Sequence, residues 1–181
     1  MTETTTPEVL RFSAQLFEKR NKIFLTIPIE VSKELYDMPK VEGTINGHAF
    51  RTMIDINTDG TYNLHVNTAM MRGADAKAGE TVQLAILGPE PDPIPPADLQ
   101  AEFNMSPEAT ENWHTLTKLG QRDWLRWIDD TKNPETRARR IARTIEQLSE
   151  GKRRACCVNV NGFMMCRIKE DDEQRVSKGQ G

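Results

Sequence analysis

The sequence predicts an α+β protein, with a small N-terminal β-barrel joined by a proline-rich linker to a helical module. Three observations carry that expectation. Residues 8–87 hold many short runs of alternating apolar and polar residues, separated by Gly and Asn/Asp turns. Residues 88–96, GPEPDPIPP, place five prolines in nine positions, which excludes helix and central strand. Residues 97–152 then change to helical spacing with capping residues.

The elements follow in order. Leu10, Phe12, Ala14 and Leu16 fall on one face of Val9–Phe17, as in a half-buried strand. Asn21-Lys22 turns the chain into a second strand, Ile23–Ile27, which Pro28 ends because it cannot donate to a ladder. Ile29–Tyr36 has room for a short helix. Val41–Ile45 and Ala49–Ile54 flank Asn46-Gly47, a strong hairpin turn. Asp59-Gly60 leads into a strand at Tyr62–Val66, Thr68–Arg72 forms a helical turn, and Thr81–Leu87 is the last strand of this half.

Beyond the linker, Asp98–Phe103 starts the helical part. Ser106 caps a helix with Pro107 in its first position, and Gly120 interrupts the next pattern. Trp124, Leu125, Trp127 and Ile128 mark one broad face of Arg122–Thr131. Asn133-Pro134 opens the longest helix, in which Ala138, Ile141, Ile145 and Leu148 form the buried stripe and Gly151 ends it. Trp124, Trp127, Ile141 and Ile145 are thus the expected packing anchors, since a tryptophan stripe at this spacing is more often core than ligand groove. For residues 153–181 the expectation is a hairpin about Asn161-Gly162 and a charged, disordered tail from Lys169.

Composition bounds the function. No run approaches the roughly 18 apolar residues of a membrane span, and the N-terminus lacks the basic and apolar regions of a signal peptide. A cytoplasmic location is therefore expected. Cys156, Cys157 and Cys166 are odd in number and have no nearby His, so reduced thiols are expected rather than a disulfide framework or zinc site. The net charge of −3 hides an asymmetry. Residues 1–117 carry 9 basic and 17 acidic side chains, and residues 118–154 carry 11 and 6. An acidic half beside a basic helical segment points to two functional surfaces, or to two modules that attract each other.

The segment WIDDTKNPETRARRIARTIEQLSEGKR resembles the signature of the YdeI/OmpD-associated, or bacteriocin-protection, family. Thr131-Lys132 and Glu135–Ile141 fill its pattern of an aromatic helix followed by a Glu-Thr-Arg-x-Arg-Arg-Ile helix. The N-terminal half resembles the domain of unknown function often placed ahead of it. That match rests on Ile27-Pro28, Gly43–Gly47, Phe50, Asp59-Gly60, Arg72-Gly73 and the strand opened by Gly79. Met70-Met71 stand where this pattern commonly has a Lys, and residues after Arg154 fall outside it. The resemblance implies a small barrel, of the swapped-hairpin type of AbrB-like regulators, followed by a helical module. It implies no reaction.

The residues leave three kinds of function open. A non-catalytic binding or stress-associated accessory protein is the leading expectation, with Lys132, Arg137, Arg139, Arg140 and Arg143 as contacts for an anionic ligand or protein partner. The same arginines could instead grip carboxylates of the barrel. A nucleic-acid-binding regulator is the alternative, because clustered cations release counterions from phosphates. It is not favoured, given the interleaved carboxylates and the overall pI of about 5.7. An enzyme ranks third. His48, His65 and His114 are scattered, and no nucleophile elbow, phosphate loop or His-Glu-x-x-His motif is present. Asp129-Asp130 could suggest paired carboxylates or a metal ligand, but consecutive helical residues do not face each other, so a solvated helix end is expected. Asp55, Asp59, His65 and Arg51 could converge at one barrel end. No cofactor or metal is called for.

Overall fold

The computed structural model describes residues 7–155 and 159–179. The chain divides into two compact units. One is formed by residues up to Glu90 together with those from Asn161 onward, and the other by Pro91–Val160.

The first unit is a seven-stranded antiparallel sheet curled into a half-barrel. Its strands are β1 (Val9–Gln15), β2 (Phe17–Lys19), β3 (Lys22–Ile27), β4 (Lys40–Ile45), β5 (His48–Ile56), β6 (Tyr62–Val66) and β7 (Thr81–Leu87). They lie in the order β1-β7-β4-β5-β6-β3-β2. β1 and β2 stand at opposite ends of that order, yet Leu16 alone joins them, so the sheet must curl. Leu16 is buried, and its backbone bonds Glu80 O and Gly79 N at 2.9 and 2.8 Å. This corner divides what the alternation alone reads as one strand.

Alternation places Leu25, Ile27, Val41, Ile45, Leu64, Val82, Leu84 and Ile86 in one apolar core. Met70 joins it from α2 (Thr68–Ala74), which is capped by Asn67 accepting from Met70 N. The β4–β5 hairpin turns at Asn46-Gly47, where φ is 46° and 83°, the left-handed values a two-residue turn requires. A short α1 (Ile29–Ser32) and a 3-10 turn (Lys33–Leu35) occupy the stretch expected to be helical.

Where a hairpin and disordered tail were expected, the chain forms α7 (Val160–Lys178). Asn161-Gly162 sits in its first turn. The turn preference of this dipeptide yields because Met164 and Ile168, four residues apart, both become buried. Longer-range contacts then fix α7 within this unit. Arg11 on β1 pairs with Asp171 at 3.0 Å and Asp172 at 2.7 Å, and Arg167 donates twice to Pro7 O at 3.0 and 2.7 Å.

The second unit contains α3 (Ala97–Met105), α4 (Pro107–Thr115), α5 (Lys118–Asp129) and α6 (Pro134–Ser149). Residues 91–96 have no regular structure. Ser106 caps α4 through Ala109 N, and Asn133 caps α6 through Glu135 N and Thr136 N. Gly120 does not interrupt α5. Thr117 accepts from its N–H and starts the helix earlier than the pattern of apolar residues implies. Leu99, Phe103, Trp113, Trp124, Ile128, Ile141 and Leu148 form the core, with Phe103 and Trp113 rings 5.2 Å apart. Trp127 and Ile145 pack at its margin.

Candidate functional site

The five cations singled out from sequence lie on α6 or just before it, and the structure divides them. Arg137 is engaged on two sides. Its Nε and Nη2 donate to Asp98 at 2.6 and 3.2 Å, and its Nη1 donates to Asp129 at 2.6 Å. These carboxylates begin α3 and end α5, so one guanidinium ties three helices together. The fork shape of arginine permits this, whereas a lysine ammonium cannot hold the same planar geometry. Both partners belong to the helical unit rather than to the barrel.

Arg140 is also committed inside the unit. Its Nη1 donates to Trp127 O at 2.5 Å, and its guanidinium carbon lies 5.5 Å from the Trp127 ring centroid. That places a cation over an aromatic face, while Trp127 meets Trp124 edge-on at 6.2 Å. Arg140 therefore holds the end of α5 against α6.

The remaining cations face solvent. Arg139 reaches Thr136 Oγ1 at 3.4 Å, and Arg143 pairs with Glu146 at 3.1 Å, both within one helical turn. Lys132 is exposed, immediately before the Asn133 cap.

The Arg137 guanidinium beside Asp98 holds that carboxyl below its usual value, chiefly through the hydrogen bond, and Arg137 itself is shifted upward by the same partners. A depressed carboxyl stabilises the folded state above the unfolded value, near pH 4, and that stability disappears as pH falls through the lowered value. Asp98→Asn should therefore lower the melting temperature at pH 7 and lose its effect toward pH 2. Melting curves of both proteins across that range provide the check. A penalty that stays constant with pH would exclude this linkage.

In the barrel unit, His65 and Asp55 do meet through Nε2 and Oδ2, with the Phe24 ring edge-on to His65 at 4.8 Å. The other two residues of that set have partners of their own. Arg51 pairs with Glu42 at 3.1 Å, and Asp59 bonds Thr61. His48 lies against Gly73 in α2, and His114 borders a small pocket of about 270 Å³ in the helical unit. Among the described residues, no three His, Cys, Asp or Glu converge in a way that could hold a metal. Cys166 is free and exposed, while Cys156 and Cys157 lie outside the described residues. No described helix is long and apolar enough to cross a membrane.

Sequence reasoning missed Asp98 and Asp129 as the partners of Arg137. Asp129-Asp130 reads as a solvated helix end, and Asp98 lies 39 residues from the arginine it binds. The one available signal was the excess of acid at helix ends close to a basic helix.

Comparison with known families matches residues 92–151 to the bacteriocin-protection, YdeI or OmpD-associated family. Residues 12–86 match the domain of unknown function DUF1905. No curated protein and no solved structure matches the chain. The chain thus belongs to the two-domain architecture in which an N-terminal DUF1905 domain (residues 12–86) is fused to a C-terminal YdeI/OmpD-associated domain (residues 92–151).

Proposed function

We propose that this is a non-catalytic accessory binding protein. Its helical domain would meet an anionic ligand or acidic partner through Lys132, Arg139 and Arg143, with Arg137 and Arg140 positioning the helix that carries them. The division among the arginines supports this reading. Arg137 and Arg140 have strong partners inside the domain, whereas among the described residues Arg139 and Arg143 hold only neighbours three residues away. Such short-range helix pairs contribute about 0.2–0.5 kcal/mol, so an incoming anion displaces them at little cost. A cytoplasmic setting belongs to the same proposal, and the exposed free thiol of Cys166 supports it.

Titration with a fluorescent inorganic polyphosphate at low salt tests the proposal. The wild-type chain should bind, with affinity falling steeply as salt rises. The triple variant Lys132→Glu, Arg139→Glu, Arg143→Glu should weaken binding at least tenfold and keep its melting temperature. An absence of binding by the wild type, or equal binding by the triple variant, would sink the idea. Tighter binding to a DNA duplex of equal charge would replace it with the nucleic-acid-regulator reading.

A further inference from the structure

The barrel unit carries a groove of about 1010 Å³ between α7 and the outer face of β1, β4 and β7. We propose that this groove binds an extended acidic peptide segment from a partner protein, independently of the helical domain. Its sheet wall presents Arg11, Ser13, Thr44 and Gln83, which alternate with core residues along their strands. Its helix wall presents Met165, Ile168, Lys169, Asp172 and Arg175. These recur at helical spacing, so a single face of α7 borders the groove. That helix lies outside the residues matched by either family.

Size and shape favour a chain over a small molecule. The volume stands at the upper limit of ordinary small-ligand pockets, roughly 300–1,000 Å³. Ten residues of α7 separate Met165 from Arg175, about 15 Å of helix. An extended peptide covers that length with four to five residues at about 3.3 Å each.

Charge selects the class of peptide. Arg11 already pairs with Asp171 and Asp172. Lys169 and Arg175 are exposed and have no side-chain ion pair or hydrogen bond among the described residues. They lie six residues apart, about 9 Å along the helix, with the carboxylate of Asp172 between them. A nucleic-acid strand carries a negative charge on every residue and would place one against Asp172. A peptide with two acidic residues flanking a basic or neutral one avoids that repulsion. Ser13 and Gln83 are exposed on the sheet wall and offer groups to the peptide main chain, while Ile168 and Met165 supply apolar contact.

Fluorescence anisotropy on the full chain gives the test, using a labelled Glu-Ala-Lys-Ala-Glu peptide at low salt. Binding should be saturable, and the double variant Lys169→Glu, Arg175→Glu should lose at least tenfold in affinity. Gln83→Trp, which fills the groove from the sheet side, should weaken binding without changing charge. The bound peptide should also slow alkylation of Cys166, read at that residue by mass spectrometry. The Lys132, Arg139, Arg143 variant should bind the peptide as the wild type does, which separates this site from the helical one. The proposal is overturned by an absence of binding, by unchanged affinity in both groove variants, or by equal binding of the charge-swapped peptide Lys-Ala-Glu-Ala-Lys. Tighter binding of an eight-nucleotide single strand would overturn it as well.

Discussion

Trp124→Ala is expected to unfold the helical domain near physiological temperature. Trp124 is 0% exposed and sits in the core with Ile128, Ile141 and Leu148. Replacing a buried aromatic by alanine costs about 3–5 kcal/mol, because lost transfer energy adds to that of the cavity left behind. A unit of this size has only a few kcal/mol in reserve. Each 1 kcal/mol moves the midpoint by about 4–8 °C in so small a domain, so a fall of roughly 15 °C or more should appear in far-ultraviolet circular dichroism. Trp124→Phe separates packing from polarity. The indole Nε1 is buried with no hydrogen-bond partner among the described residues, so phenylalanine removes an unsatisfied donor along with some volume. Its cost should stay below about 1.5 kcal/mol. Equal losses in the two variants would mean that the ring volume is not what holds the domain.

Gly43→Ala should be the most damaging small substitution in the barrel unit. A Cβ at this position would stand 2.2 Å from Ala85 O and 2.7 Å from Ile86 Cα. Both are backbone atoms of β7, with which β4 pairs at this position, so no side chain can swing aside. The strands must separate in the middle of the sheet, at an expected cost above about 3 kcal/mol. Gly47→Ala supplies the contrast. Among the described residues nothing lies within 4 Å of its added Cβ, and the backbone φ of 83° is what resists, worth about 1–2 kcal/mol. Urea unfolding of the two variants ranks them. A smaller loss at Gly43 than at Gly47 would contradict the close approach of β4 and β7.

Local chemistry made much of the fold legible. Asn46-Gly47, Ser106-Pro107 and Asn133-Pro134 act through their own backbone preferences, and each sits where those preferences place it. The stripe through Ile141 and Leu148 is likewise a property of one helix. The parts that were not legible depend on distant residues. Burial of Met164 and Ile168 outweighs the turn preference of Asn161-Gly162, and periodicity over so short and charged a stretch does not reveal what a helix would pack on. The arginine cluster shows the same limit. Five cations look equivalent along the chain, yet Arg137 is set apart by Asp98 and Asp129, and Arg140 by Trp127. No spacing rule links those positions.

The ion pairs of Arg11 also order events in time. Arg11 lies on the first strand, and its partner Asp171 follows 160 positions later. A ribosome adds about 5–20 residues per second, so the first strand waits roughly ten to thirty seconds for α7. The helical domain is translated in full during that interval and is free to fold first, although it comes second in the chain. The half-barrel reaches its final form only after α7 leaves the exit tunnel. Until then the outer face of β1 and β7 is an open surface of the nascent chain.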